Sequence, residues 1–307
     1  MSKTAFVFPG QGAQAVGMGK DVYETLPESR AVFEQADEAL GFPLSRLIFE
    51  GPESDLKQTV NTQPALLTAS IAYLEALKSR GIRPDYTAGH SLGEYSALVA
   101  AGVLEFRDAV KLVRLRGQFM EEAVPGGQGA MAAVLGAERE ALAQLCRSVS
   151  ETDGQVELAN VNCPGQIVVS GSAEGVAAIV ARVKEAGAKR AIPLEVSGPF
   201  HSSLMKEAAE RLGSELQGTV FRAPQVPVIA NVTAEPVTDE EEIRGLLVRQ
   251  VYSPVLWQDS VERLIALGVD TFVEIGSGTV LAGLIRKIDK NVKVISVNSL
   301  ESARGFE

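Results

Sequence analysis

Short apolar runs alternate with longer amphipathic stretches along most of this chain, and that alternation restricts the fold more than any other feature. Strands and helices that take turns in sequence make a layered α/β protein. Ala5, Phe6, Val7 and Phe8 read as a buried first strand, closed by the turn Pro9-Gly10-Gln11-Gly12. A helix is predicted over 63–78, with Asn61 and Thr62 as caps, Pro64 in its first turn and Gly81 as its stop. A short strand over 86–89 leads into a helix over 92–101, and a further helix covers 106–123 before Pro125-Gly126-Gly127. The order then changes to strand 129–135, helix 138–148, strands 156–161 and 166–170, helix 173–186 and strand 189–196. That is βαββαβ, the split ferredoxin-like unit. The α/β pattern resumes at strand 226–230, helix 240–250 and strand 271–275. The chain therefore divides into a discontinuous main domain, 1–125 with 198–307, and an inserted subdomain, 126–197.

Composition narrows the partners. At 307 residues, 46% hydrophobic and 22% charged, the chain can bury a sizeable core. Its net charge of −10 argues against nucleic acid or an anionic membrane surface. Cys146 and Cys163 are too few for a disulfide framework or a cysteine-based metal site, and they read as buried thiols; no metal is expected. The N-terminal apolar run is too short for a signal peptide, and no stretch approaches the roughly 18 residues of a membrane span. A cytoplasmic protein is expected.

The strongest local motif is Gly89-His90-Ser91-Leu92-Gly93, a G-x-S-x-G between a predicted strand and a predicted helix. Glycines on either side let such a turn tighten and leave a serine hydroxyl exposed at the sheet edge. A serine nucleophile needs a base within hydrogen-bond reach, and the chain has two histidines. His90 adjoins the serine, and neighbouring side chains diverge on such a turn. His201 lies in a loop where the main domain resumes, which makes it the candidate base. No carboxylate stands out as a third member: Asp108 falls in a helix and Asp153 in a turn of the insert. A Ser-His dyad is expected, its imidazole held by a backbone carbonyl or an amide side chain.

Arg116 falls on the apolar stripe of its helix, with Ala109, Leu112, Val113 and Met120, opposite the polar stripe of Arg107, Lys111, Arg114 and Gln118. A guanidinium there must find an anion or several acceptors. A structural ion pair, an outward-reaching side chain and a bidentate clamp on a substrate carboxylate all answer that need. The loop Pro9-Gly10-Gln11-Gly12-Ala13-Gln14-Ala15 satisfies a dinucleotide fingerprint, yet no second strand ending in an acid follows it at the required distance. The favoured alternative is an oxyanion hole built from the backbone N–H groups of Gln11 and Leu92.

With those residues in place, the chain resembles the malonyl-CoA:acyl carrier protein transacylases nearly end to end. The resemblance rests on Phe6-Val7-Phe8-Pro9-Gly10-Gln11-Gly12, Gln63-Pro64-Ala65-Leu66-Leu67, Gly89-His90-Ser91-Leu92-Gly93-Glu94-Tyr95, Arg114-Leu115-Arg116-Gly117, Asn160-Val161-Asn162-Cys163-Pro164-Gly165-Gln166 and Val248-Arg249-Gln250. It implies a hydrolase-like α/β main domain with a mostly parallel sheet and an inserted ferredoxin-like βαββαβ subdomain. It further implies Ser91 as the acylated nucleophile, His201 as its base, Gln11 and Leu92 as the oxyanion hole and Arg116 as the partner of the malonyl carboxylate. Gln250 corresponds to the residue whose carbonyl orients the histidine, while Gln63 and Asn162 correspond to polar positions along the substrate pocket. Phe200 corresponds to a position where a ring goes with malonyl rather than methylmalonyl. The implied partners are malonyl-CoA and, transiently, an acyl carrier protein; coenzyme A thioester is substrate, and no cofactor is held permanently. Since carrier proteins of this family are acidic, Lys189, Arg190, Arg286, Lys287, Lys290 and Lys293 are candidates for a local basic patch. An esterase using the same elbow and a nucleotide-dependent oxidoreductase using the glycine loop are the rival readings.

Overall fold

The structure, a computed structural model, describes residues 2–78 and 80–306. Its strands are β1 (Lys3–Phe8), β2 (Tyr86–Gly89), β3 (Gly129–Leu135), β4 (Val156–Cys163), β5 (Gln166–Ser172), β6 (Arg190–Pro193), β7 (Val228–Ile229), β8 (Pro236–Val237), β9 (Val269–Ile275) and β10 (Lys293–Val297). One sheet has the order β10-β9-β1-β2-β7-β8, and all its pairings are parallel except β7 with β8. The other has the order β4-β5-β3-β6 and is antiparallel throughout.

The unbroken apolar run of β1 follows from its place in the middle of the parallel sheet, where both faces are covered. Phe6 and Phe8 enter the larger core on one face, with Leu66 and Leu92, while Ala5 and Val7 enter a second core with Trp257 and Phe272 on the other. The helix Thr59–Lys78 is buried on nearly every side and carries no polar stripe. It starts before the expected cap, so Pro64 lies inside it rather than in its first turn. Proline gives up one helical hydrogen bond, four residues back at the Val60 carbonyl. That carbonyl instead accepts from Arg114 Nη1 at 3.5 Å.

The antiparallel sheet contains every strand between β3 and β6 and is backed by the helices Arg139–Thr152 and Ala173–Arg182. Its own buried cluster includes Val134, Leu142, Val169 and Ile179. The last of these strands is shorter than the sequence suggests. Only Arg190 to Pro193 form the strand paired with β3, and one further hydrogen bond, from the Leu194 N–H to the Met131 carbonyl at 2.9 Å, follows it. Among the described residues, no helix is long and apolar enough to cross a membrane.

In the parallel sheet, β1, β2 and β7 run in the same direction side by side. Their C-terminal ends therefore open on one edge, where open α/β sheets form their crevices. Gln11 follows β1, Ser91 follows β2 and Asn231 follows β7.

Candidate active site

Between β2 and the helix Gly93–Ala100 the chain turns so sharply that Ser91 takes φ 52°. Both flanking glycines are needed for lack of space rather than for their φ angles. A Cβ on Gly89 would stand 1.9 Å from the carbonyl of Gly93, and one on Gly93 would stand 2.1 Å from the Phe8 carbonyl oxygen. Gly10 closes against the same turn, with a Cβ position 2.3 Å from the His90 carbonyl oxygen. The turn after β1 is thereby pressed onto the serine loop.

The Ser91 hydroxyl lies 2.8 Å from Nε2 of His201. On the far side of the ring, Nδ1 is 2.8 Å from the carbonyl oxygen of Gln250. A carbonyl can only accept, so Nδ1 carries the proton and Nε2 is left as an acceptor facing the serine O–H. Burial, followed by the Arg116 cation, pushes the His201 imidazole down to about 3, which keeps it neutral. His90 points elsewhere: its Nε2 is 2.8 Å from Asn162 Oδ1.

Arg116 is 1% exposed, so it does not reach outward. Its hydrogen bonds go to neutral oxygens: Nη1 donates to Gln63 Oε1 at 2.7 Å, and Nη2 donates to Gln250 Oε1 at 2.9 Å and Ser91 Oγ at 3.1 Å. Its Nε has no partner among the described residues. A buried cation with no carboxylate among its hydrogen-bond partners, and with a free donor, stands next to the serine hydroxyl; the charge of the buried Glu94 acts on it only through space.

A cavity of about 120 Å³ joins these groups; Gln11, Ser91, Leu92, Arg116, Phe200 and His201 line it, and its wall also includes His90, Met120, Met131 and Asn160. Neither the Gln11 nor the Leu92 backbone N–H donates a hydrogen bond to a described residue, so two residues lining this space carry unused donors. A second cavity, about 260 Å³, shares Gln11, His90 and Asn160 with the first and extends past Asn162 to Val280. Gln63 and Asn162 are not among the side chains lining the smaller cavity. Gln63 holds Arg116 from behind, and Asn162 borders the larger space. Among the described residues, no cluster of His, Cys, Asp and Glu could hold a metal.

Two contributors have no role in the sequence reading. Asn231 accepts the Ser91 N–H at 2.7 Å through Oδ1 and donates from Nδ2 to the Gly89 carbonyl at 2.6 Å, clamping the elbow from both ends. Glu94 is a buried acid that accepts from Asn231 N and Gln250 Nε2. Each carried a signal. Asn231 ends the apolar run Val228-Ile229-Ala230, and Glu94 is the sole charge in an apolar helix.

The sequence profile of the acyl transferase domain family matches residues 5–301. The malonyl CoA-acyl carrier protein transacylase of Bacillus subtilis (strain 168) is 57% identical over 302 residues, which is 98% of this chain and 95% of that protein. The crystal structure of an acyl carrier protein S-malonyltransferase from Vibrio cholerae superposes with a TM-score of 0.97 at 48% identity, covering 100% of both chains. A malonyl-transacylase solved in complex with its type II polyketide acyl-carrier protein superposes with a TM-score of 0.95 at 44% identity, covering 99% of this chain and 98% of that one. This chain is an acyltransferase and belongs to the malonyl CoA-acyl carrier protein transacylase family.

Proposed function

We propose that this chain moves a malonyl group from malonyl-CoA to the phosphopantetheine thiol of an acyl carrier protein, through a malonyl ester on Ser91. The observation that carries the reading is the buried Arg116 guanidinium 3.1 Å from Ser91 Oγ, held by neutral oxygens only. A thioester whose acyl group ends in a carboxylate supplies an anion, and malonyl carries its carboxylate one methylene away from the carbon that Ser91 attacks.

In the first half-reaction His201 Nε2 takes the Ser91 proton as Oγ bonds to the thioester carbon. The carbonyl oxygen becomes an oxyanion in the smaller cavity, where the N–H groups of Gln11 and Leu92 receive it. Collapse breaks the carbon–sulfur bond, and the coenzyme A sulfur leaves with the proton from His201. In the second half the carrier's thiol gives its proton to His201, attacks the ester carbon and releases Ser91, which recovers the proton. The Gln250 carbonyl keeps Nδ1 protonated throughout and takes the place of a triad carboxylate. Phe200 lines the space beside the malonyl α-carbon. The larger cavity between Gln11 and Val280 suits the pantetheine arm.

The same reading divides the molecule into a hydrolase-like main domain, 1–125 with 198–307, and a ferredoxin-like insert, 126–197. The separate antiparallel sheet and its separate buried cluster support that division. The carrier as partner is supported by the relative solved with its own carrier. Arg286, Lys287, Lys290 and Lys293, with Lys189 and Arg190, are the proposed basic patch; Lys287 Nζ reaches Gln166 Oε1 at 3.4 Å beside the larger cavity. The cycle needs no resident cofactor and fits a cytoplasmic setting.

Intact mass after mixing with malonyl-CoA tests the reading. A malonyl adduct should map to Ser91, be absent in Ser91→Ala and disappear when carrier protein is added. Steady hydrolysis without carrier would reassign the chain as a thioesterase.

A further inference from the structure

Glu94 lies at the start of the helix Gly93–Ala100, is 2% exposed, and touches neither proposed cavity. Its neighbours in that helix are apolar or small, and burial pushes its carboxyl up to about 7. An acid is costly in such a place, and a Leu or Met would pack there without that cost. What Glu94 touches explains why an acid stands there. Its Oε2 accepts from Gln250 Nε2 at 2.7 Å and from Asn231 N at 3.1 Å.

The Gln250 amide is two-faced: one end only donates and the other only accepts. Its nitrogen faces three oxygens, from Glu94 at 2.7 Å, the Ser91 carbonyl at 3.0 Å and Asn231 Oδ1 at 3.3 Å. Its oxygen faces Arg116 Nη2 at 2.9 Å. A flipped amide would set N–H against N–H at the guanidinium and oxygen against oxygen at Glu94. Glu94 makes the shortest of the three contacts and is the one acceptor among them that can carry charge. Because Oε2 already accepts two N–H groups, a proton taken up by this carboxyl goes to the other oxygen, and the contact survives in either protonation state.

We propose that Glu94 is a positioning residue for Arg116: through the Gln250 amide it fixes the side of the guanidinium that faces Ser91, and with it the preference for a carboxylate-bearing acyl group. The proposal deepens the assignment of Arg116 above and rests on it. Asn231 joins the arrangement by tying the same carboxylate to the serine loop.

The test is the ratio of malonyl to acetyl transfer onto Ser91, read by mass at matched concentrations of the two coenzyme A thioesters. Acetyl transfer uses Ser91 and His201 but offers no carboxylate, so it absorbs any general loss at the dyad and the ratio isolates Arg116. In Glu94→Ala the ratio should fall at least about tenfold, as expected when buried polar partners are left unmatched. Glu94→Met, which keeps the volume but removes the acceptor, should do the same and covers a folding failure of the alanine variant. Glu94→Gln, which can still accept at Oε1, should stay within about threefold of the parent ratio. Glu94→Ala combined with Arg116→Ala should have no lower ratio than Arg116→Ala alone, since both act through one group. A ratio unmoved in Glu94→Ala and Glu94→Met while Arg116→Ala collapses it would overturn the proposal and leave the Arg116 assignment standing. A ratio unmoved in Arg116→Ala would overturn both.

Discussion

Ser91 and His201 lie 110 residues apart in the chain, meet with Oγ 2.8 Å from Nε2, and both adopt left-handed backbone conformations, at φ 52° and 60°. Ala234 is the one other non-glycine residue at positive φ among those described. Such conformations cost roughly 1–3 kcal/mol each and persist where the surroundings over-determine them. Here one segment anchors both. Gln250 Nε2 donates to the Ser91 carbonyl, the Gln250 carbonyl accepts from His201 Nδ1, and the Val251 carbonyl accepts from His201 N. The end of the helix Glu240–Gln250 thus sets the distance between the proposed nucleophile and its base.

Gly89→Ala tests how tightly the elbow is closed. A methyl 1.9 Å from the Gly93 carbonyl has no room, and the obstruction is backbone that cannot rotate away. The expected loss is about 3 kcal/mol or more, at the upper end for overpacking. Chemical denaturation should show it as a lower midpoint with unchanged slope. Parent-like stability would mean that the elbow opens more easily than its contacts imply.

Arg116→Ala tests the carboxylate clamp. Hydrogen bonds to a buried charge are worth roughly 1.5–3 kcal/mol, so malonyl transfer should fall about 10- to 150-fold while acetyl transfer is retained or gains. Single-turnover acylation of Ser91 with each thioester gives the comparison. Equal losses for both substrates would assign Arg116 to the structure of the dyad instead.

Much of the architecture is legible in the residues, because β1 and β2 are short apolar runs closed by glycine turns and the helices Phe106–Glu122 and Arg139–Thr152 carry clear amphipathic periodicity. The unbroken run at Phe6-Val7-Phe8 reports a strand covered on both sides, and the βαββαβ order reports the second sheet. The site is legible where scarcity forces the choice: with two histidines, a base for Ser91 is nearly determined. Less visible are residues whose partners come from distant segments. Asn231 meets Ser91 across 140 positions and Gln250 meets Glu94 across 156, and neither pairing leaves a local pattern. The helix start before Pro64 is hidden for the same reason, since its relief comes from Arg114, 54 positions away at the Val60 carbonyl.

Phe200→Ala tests the proposed wall beside the α-carbon. Phe200 is 5% exposed and lines the smaller cavity with Met120 and Met131. Removing the ring should raise methylmalonyl transfer relative to malonyl by about 10- to 200-fold, the range a single methyl commands in an apolar pocket. Competition between the two thioesters, read by mass on Ser91, measures the ratio directly. An unchanged ratio would place the discriminating surface elsewhere in the cavity.

The neutral state of His201 has a consequence for stability that His201→Gln exposes. In the folded chain burial and the nearby Arg116 cation push the imidazole down to about 3, whereas an unfolded histidine takes up its proton near 6.5. Between those values the unfolded state binds the extra proton, so falling pH favours unfolding, and stability present above about 6.5 is progressively lost. At pH 5 the difference amounts to about 2 kcal/mol. Glu94 works in the opposite direction, because burial raises its carboxyl to about 7 and the folded state binds the proton first. That contribution, like those of the surface carboxylates, is common to parent and variant and drops out of their difference. His201→Gln loses the imidazole and leaves the pH-dependent penalty behind with it. Urea unfolding at pH 7.5 and pH 5.0 should therefore show the variant gaining about 2 kcal/mol on the parent as the pH falls, whatever its deficit at pH 7.5. Parallel curves would mean that the folded imidazole protonates near its ordinary value, and a base already charged at mild acidity could not take the Ser91 proton there.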